Sequence, residues 1–347
     1  MRVFSALNKF VNFDLNMGEK TCSCCGAETR EILGRYELPP KRLVSGVVQS
    51  IAYDLVECVK CQHVEAGEPP TSDEIHQYYT SDSFWKEQGA SGDGLAKSWY
   101  DQVSGSSGLW ERFNRAQNQL GVIRSALDLR LDSKIIDLGS GYSPFLFNCY
   151  QKGYRNLYAL EPSLAVCNFL RQKGVVSFDM LLEQFVAEEL DVKFDVMVIS
   201  HTVEHLFNPS EVISGLRKHL TERGVIYIDV PFQDHLRPYH QGLHLQFFNQ
   251  ISISKLLENC DFSVSRIDID HIKGLEKVII SGLYFLYGMF LKNSGGMPSS
   301  SRWVEMIHRH IWRPVKKLLD LKINIFISSS DLRVVAKKNT SEPKLSL

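Results

Sequence analysis

Residues 134–141, Lys-Ile-Ile-Asp-Leu-Gly-Ser-Gly, constrain this 347-residue chain more than any other stretch. Ile135, Ile136 and Leu138 form an apolar run of buried-strand length, and it stops at Gly139-Ser140-Gly141, where a backbone short of Cβ atoms can turn sharply and approach a nucleoside-sized ligand. Pro144 suits the first turn of a following helix, where an N–H would have no intrahelical partner. Strand, glycine turn and helix in that order make the first unit of a doubly wound α/β domain, with its ligand at the carboxyl end of the strand. A dinucleotide-binding turn needs a third glycine for close helix packing; Pro144 stands there instead, which disfavours a pyrophosphate site. Roughly twenty residues on, the apolar run Leu157-Tyr-Ala-Leu160 ends in Glu161, an acid placed to accept both hydroxyls of a ribose.

The rest of the chain continues the alternation. Apolar positions Phe113, Leu120, Ile123 and Leu127 predict a helix leading into the glycine-motif strand, and Pro144–Lys152 and Leu164–Lys173 predict two more covering the sheet. Val175–Phe178 is a short third strand ending at Asp179, and Phe194–Ser200 is nearly continuous in apolar residues, as a central parallel strand should be. A fifth strand over Gly224–Val230 is stopped by Pro231. Ser263–Ile269 and Asp331–Ala336 alternate like strands and would close the fold as an antiparallel pair.

Asp137-Leu-Gly-Ser-Gly141 followed by Leu160-Glu-Pro-Ser163 resembles the first two motifs of class I S-adenosylmethionine (SAM)-dependent methyltransferases, and Ser200-His-Thr-Val-Glu-His-Leu-Phe-Asn-Pro209 resembles their fourth. The resemblance implies an α/β, Rossmann-like class I methyltransferase fold with a mostly parallel seven-stranded sheet. It also implies SAM as cofactor, contacted by Asp137, Gly139, Ser140, Gly141, Glu161, Pro162, Asp179 and Ser200, with Asp179 facing the adenine amino group. His201 would sit at the strand tip beside the reacting centre, while Glu204 and His205 are expected to hold the turn by hydrogen bonds.

Five of the eight cysteines fall within the first 61 residues, in Cys22-Ser-Cys24-Cys25 and Cys58-Val-Lys-Cys61. Two Cys-x-x-Cys knuckles brought together complete a closed tetrahedral site, so Cys22, Cys25, Cys58 and Cys61 are expected to bind a structural zinc ion, with Cys24 spare. The two knuckles, the Pro-rich turn Glu68-Pro-Pro-Thr-Ser72 and the pair Tyr78-Tyr79 ahead of the glycine motif resemble a bacterial methyltransferase subgroup with an N-terminal zinc-binding domain. That subgroup includes C-methyltransferases of nucleotide-linked deoxysugars. The expected organisation is a zinc-ribbon-like domain over 1–70, a linker covering the active site over 71–109, and a SAM-dependent methyltransferase domain over 110–340 with a helical insertion at 273–328. In the linker, Tyr78, Tyr79, Phe84 and Trp85 are candidates to fold over the site.

Beyond the fifth strand the chain carries His235, Tyr239, His240 and His244, a crowding of titratable groups at a carboxyl strand end that marks a site. His244-Leu-Gln-Phe-Phe-Asn249 and the helix after it resemble the catalytic segment of the sugar-methylating relatives. His244 is accordingly expected to be the general base, with His201 or Tyr239 orienting it. A Glu precedes that histidine in those relatives and takes part in catalysis; here Leu243 stands in its place.

Bulk properties narrow the acceptor. Thirty-nine basic against forty acidic residues give a formal charge of -1, which offers no general attraction for phosphate backbones. A sugar, glycan-linked or other small-molecule acceptor is therefore expected; an RNA-modifying or RNA-binding protein gripping RNA through the zinc domain is the alternative class. The N-terminus is broken by Asn8 and Lys9 before any apolar core of signal-peptide length, so a cytoplasmic location is expected. In the insertion, Val278–Leu291 is apolar but too short to span a bilayer, and the helix from Arg302 sets Trp303, Ile307, Ile311, Val315 and Leu319 on one stripe with basic residues elsewhere. Residues 278–322 thus offer a lid, a dimer contact or a peripheral membrane contact.

Overall fold

The structure, a computed structural model, describes residues 21–28, 30–37, 41–42, 48–49, 52–69, 71, 99, 109–232, 235, 243–269 and 331–339. Tyr78, Tyr79, Phe84, Trp85, Tyr239, His240 and the insertion at 273–328 lie outside the described residues.

The larger sheet has seven strands: β6 (Ile135–Leu138), β7 (Leu157–Leu160), β8 (Val176–Phe178), β9 (Phe194–Ser200), β10 (Leu220–Pro231), β12 (Phe262–Ile269) and β13 (Asp331–Lys338). Their spatial order is β12-β13-β10-β9-β6-β7-β8. The strands from β10 through β8 run parallel, and β13 enters antiparallel between β10 and β12. This is the expected Rossmann-like class I methyltransferase sheet, with the expected antiparallel pair at its end.

Both faces are covered, which explains the near-continuous apolar strands. Because side chains alternate, Ile136, Leu138, Met197, Ile199, Ile226 and Ile228 enter one core, while Ile135, Val196, Val198, Val225 and Tyr227 enter the other. The second core is roofed by α1 (Leu109–Ala126), α2 (Pro144–Gln151) and α3 (Leu164–Gln172). The first is roofed by α5 (Pro209–Leu216) and α6 (Gln250–Asn259), with the short α4 (Leu182–Phe185) beside them. Helix starts follow their capping chemistry. Ser143 accepts from Leu146 N ahead of Pro144, Ser163 accepts from Val166 N, and Asn208 accepts from Glu211 N ahead of Pro209.

The N-terminal region forms a second sheet from β1 (Arg30–Glu37), β4 (Ala52–Cys58) and β5 (Val64–Ala66), with a two-stranded ribbon of β2 (Lys41–Arg42) and β3 (Val48–Gln49) between β1 and β4 in sequence. Its fourth strand comes from far along the chain: β11 (Gln246–Phe247) pairs antiparallel with β5, Gln246 opposite Glu65 and Phe247 opposite Val64. A small apolar core of Tyr53, Leu55, Val64, Leu243, Leu245 and Phe247 seals this junction. The four knuckle cysteines and Cys24 belong to the same core as α5 and α6, so the N-terminal sheet is built onto the α/β domain rather than tethered to it.

Gly139 shows why the turn after β6 admits no side chain. Its φ is +75°, and a Cβ there would lie 2.3 Å from Thr202 Oγ1 and 2.8 Å from Thr202 Cγ2. Gly139→Ala should therefore destabilise the fold by about 1–3 kcal/mol, from backbone strain plus overpacking. Combining it with Thr202→Ala should recover part of the loss in thermal unfolding. An equal loss in both backgrounds would exclude the Thr202 contact as the cause.

Candidate active site

The carboxyl ends of β6, β7, β9 and β10 converge on one crevice. At its cofactor end, the amides of Gly139 and Ser140 both donate to Leu160 O, at 2.9 and 3.0 Å, which welds the glycine turn to the end of β7. Those amides are consumed within the fold. Glu161 is fixed from both sides, accepting from Gly141 N at Oε2 and from Ser163 N at Oε1, each at 3.0 Å. A carboxylate has about four acceptor positions, so two remain for a pair of ribose hydroxyls. Pro162 sits in the bend between these contacts.

Asp137 is buried on β6 and accepts from Ser143 Oγ at 2.6 Å. Burial pushes Asp137 up to about 7 against that hydrogen bond, and pushes Glu161 up to about 7 against its two amide donors. Asp179, the expected adenine contact, is half exposed and paired with Arg171 at 2.5 Å. Trp99, from the linker, donates its indole N–H to Tyr142 O at 2.8 Å, so part of that segment lies against the residue following the glycine turn.

Ser200, at the end of β9, accepts from Gln119 Nε2 at 2.9 Å, and the same amide reaches the buried Asp229 at 3.0 Å. His201 follows with φ +53°, a left-handed conformation that a side chain adopts at a cost, while its amide donates to Asp229 O at 2.8 Å. Its Nδ1 lies 3.3 Å from Glu204 Oε1 and its Nε2 3.8 Å from Asp331 Oδ1. Although burial alone would lower it, the Glu204 carboxylate beside it leaves His201 above the usual imidazole range. Asp331 and Asp229 each have an arginine close by: Arg115 at 3.7 Å from the first, Arg333 at 3.8 Å from the second.

His244 is buried and joins this cluster. Its ring packs edge-on against His205 with centroids 4.9 Å apart, and ligand-type atoms of Glu204, His205 and His244 lie within 4.8 Å of one another. The segment around His244 is clamped on both sides: His205 Nδ1 lies 2.6 Å from Leu243 O, and Leu245 N donates to Glu204 O at 2.7 Å. The backbone oxygen of Glu204 and the ring of His205 thus fasten the segment around His244, for which the sequence suggested only Tyr239 or His201 as partner. Asp229, Asp331, Arg115 and Gln119 escaped the sequence reading. Asp229 carried a signal, being a charged residue inside an otherwise apolar central strand.

The cysteine cluster lies behind His244. Cys22 and Cys61 sulfurs are 3.6 Å apart, Cys25 and Cys58 sulfurs 3.5 Å, and all four lie within 4.8 Å of one another without a disulfide. Four thiolates at about 2.3 Å around a tetrahedral ion sit about 3.8 Å apart, so the spacing suits such an ion. Cys24 is not in the group; its thiol hydrogen-bonds Cys22, drawing Cys22 well below the usual thiol range, while burial pushes Cys24 up. Gln246 ties the knuckles to the site: its carbonyl accepts from Ser23 Oγ at 3.0 Å and His63 Nε2 at 2.7 Å, and its amide donates to Leu206 O at 2.9 Å. Tyr53 donates its hydroxyl to His244 O, and Asn249 donates to Gln62 O at 2.7 Å.

A pH dependence follows from Glu161. Its pKa is raised on folding, so its contribution to stability is complete below the unfolded carboxyl pKa and lost as pH climbs through about 7. A ribose that needs the ionised carboxylate should bind with the opposite trend, its affinity growing about tenfold per unit up to pH 7 and levelling above. Calorimetry of SAM across pH 5.5–8.5 should show this rise with proton release near pH 6.5, and Glu161→Ala should abolish it and cost about 3 kcal/mol or more, two charged hydrogen bonds. A flat profile in the parent protein would remove Glu161 from the ribose site.

Residues 110–267 match the protein family described as "Methyltransferase domain". A search of curated proteins finds no match. Among solved structures, the chain is similar to coclaurine N-methyltransferase bound to N-methylheliamine and S-adenosylhomocysteine, with 14% identity, 78% of this chain and 90% of that one covered and a TM-score of 0.45. It is similar also to the plantazolicin methyltransferase BpumL in complex with S-adenosylhomocysteine, at 15% identity, 76% and 94% coverage and a TM-score of 0.47. The magnesium protoporphyrin IX methyltransferase of Synechocystis PCC 6803 with bound SAM gives 14%, 78%, 99% and 0.42. Among the described residues no helix is long and apolar enough to cross a membrane. With the glycine turn, the sheet order and the family match in agreement, residues 110–267 fold as a methyltransferase domain of the class I type.

Proposed function

We propose that the chain methylates a sugar, glycan-linked or other small-molecule acceptor, that His244 removes the acceptor's proton, and that Cys22, Cys25, Cys58 and Cys61 hold a structural zinc ion. The observation that carries this reading is the meeting of the two ends of the crevice. Thr202 packs on Gly139 at the cofactor turn, while its neighbours His201 and Glu204 face the cluster that contains His244. The near-neutral overall charge supports a small acceptor over a polyanion.

SAM, when bound, supplies a methyl group already activated by its sulfonium. The protein's task is then alignment and proton removal, and alignment can lower a barrier by about 7–11 kcal/mol. Glu161 and the glycine turn hold the nucleoside; the histidine cluster meets the acceptor. As the methyl–acceptor bond forms, the acceptor's proton passes to an imidazole nitrogen of His244. His205 is unsuited to that step, because burial lowers it to about 4 and its Nδ1–H is given to Leu243 O. The insertion at 273–328 would act as lid, dimer contact or membrane contact.

Zinc fits the four-thiolate donor set, and the closed coordination leaves no position for catalysis. Its work would be positional. Binding of the knuckles sets β4 and β5, β5 pairs with β11, and β11 begins two residues after His244.

Three outcomes are expected. His244→Ala should lower turnover by about 10²–10⁴ while leaving SAM affinity within about twofold, since general-base catalysis supplies that order; a drop below tenfold would transfer the role to another group. Metal analysis of reduced protein should find about one zinc per chain, lost in Cys58→Ser. Chelation should depress turnover before it weakens SAM binding, and full turnover in demetallated, reduced protein would refute the positional role.

A further inference from the structure

Glu204 is only 1% exposed, and among the described residues neither of its carboxylate oxygens has a hydrogen-bond partner. Three imidazoles surround it: His201 at 3.3 Å, His205 at 4.0 Å, and His244 within the 4.8 Å group. An uncompensated buried carboxylate is strongly unfavourable, so the cluster calls for one positive charge. The carbonyl of Leu243 can only accept, which puts the His205 proton on Nδ1 and turns an Nε2 lone pair toward Glu204. Burial lowers His205 to about 4 and keeps it neutral, so His201 and His244 remain. The other charged groups facing the imidazoles are Asp331 and Arg333 on β13, Asp229 on β10 and Arg115 on α1. Both aspartates have an arginine nearby; among the described residues, Glu204 has histidines alone.

We propose that Glu204 is a positioning residue for the base, its carboxylate providing the counter-charge for the imidazolium that forms on His244, with His201 as the second imidazole on the same anion. The proposal rests on the reading of His244 as the base. The geometry suits the role. Residues 204 and 205 grip the backbone on either side of His244, and the left-handed His201 keeps its ring against Glu204 Oε1. A proton arriving at His244 thus enters a pocket that already holds a compensating negative charge, and no water is needed to stabilise the product imidazolium.

The test needs no acceptor. Imidazole Cε1–H resonances of the full chain, saturated with S-adenosylhomocysteine, are titrated by NMR and assigned with His201→Asn and His244→Asn. In Glu204→Gln, which keeps the shape and removes the charge, proton affinity at His244 and His201 should fall about tenfold, so both titrate at lower pH. Glu204→Asp should retain most of the wild-type affinity and serves as the folded variant if the glutamine form fails to bind S-adenosylhomocysteine. Where an acceptor is in hand, the acid limb of kcat should move down by the same factor while SAM affinity stays put. Unchanged titration of both histidines in Glu204→Gln would overturn the proposal. So would a second metal equivalent that chelator removes from the parent protein and that Glu204→Gln lacks, since the cluster would then be a cation site. Absence of methyl transfer with normal histidine titrations would instead count against His244 as the base.

Discussion

Strand β6 lies between β7 on one side and β9 on the other, and the chain leaves it in opposite directions along the sheet. Such a reversal opens a crevice at the carboxyl edge because the connections diverge there, and no helix can cover the gap. The other features of the site depend on it. The glycine turn bonds sideways to Leu160 at the end of β7, placing Glu161, while β9 ends in the left-handed His201 against Asp229 of β10. The close contact of Gly139 with Thr202 stitches the two sides together. The glycine turn and the histidine cluster thus share a wall one residue thick.

The histidine cluster at the ends of β9 and β10 is an electrostatic composition. Glu204, Asp229 and Asp331 meet His201, His205 and His244, with Arg115 and Arg333 at the margin. Burial pushes the Glu204 carboxyl up, and the neighbouring His201 imidazole more than offsets it. That explains why Glu204 sits below the usual carboxylate range despite being buried, whereas Asp137 and Glu161, with only neutral donors, are pushed up to about 7.

Much of this architecture was legible because each element carries a local signal of the right period. The apolar strands, Pro144 at its helix start and the paired Cys-x-x-Cys knuckles all report on their immediate neighbours. The site's polar partners were harder to read, since pairing between Glu204 and His244 or between Gln246 and His63 depends on the fold and leaves no spacing rule. Strand β11 is the clearest case: two residues, Gln246 and Phe247, have no periodicity of their own, and only the open edge of β5 makes them a strand. Asp179 illustrates the reverse, a residue well placed in sequence whose carboxylate is taken up by Arg171.

The borrowed strand has a consequence for modularity. A segment ending at the Pro-rich turn after residue 68 would carry β5 as a bare edge, with unpaired backbone groups and the apolar faces of Tyr53, Leu55 and Val64 uncovered. The α/β domain alone would in turn lose the surface that orders Leu243–Phe247. The boundary that the cysteine pattern draws in the sequence is therefore not a fold boundary. Grafting this N-terminal unit onto another scaffold would require transplanting the β11 segment with it, and unfolding of either part should drag the other along as one cooperative unit.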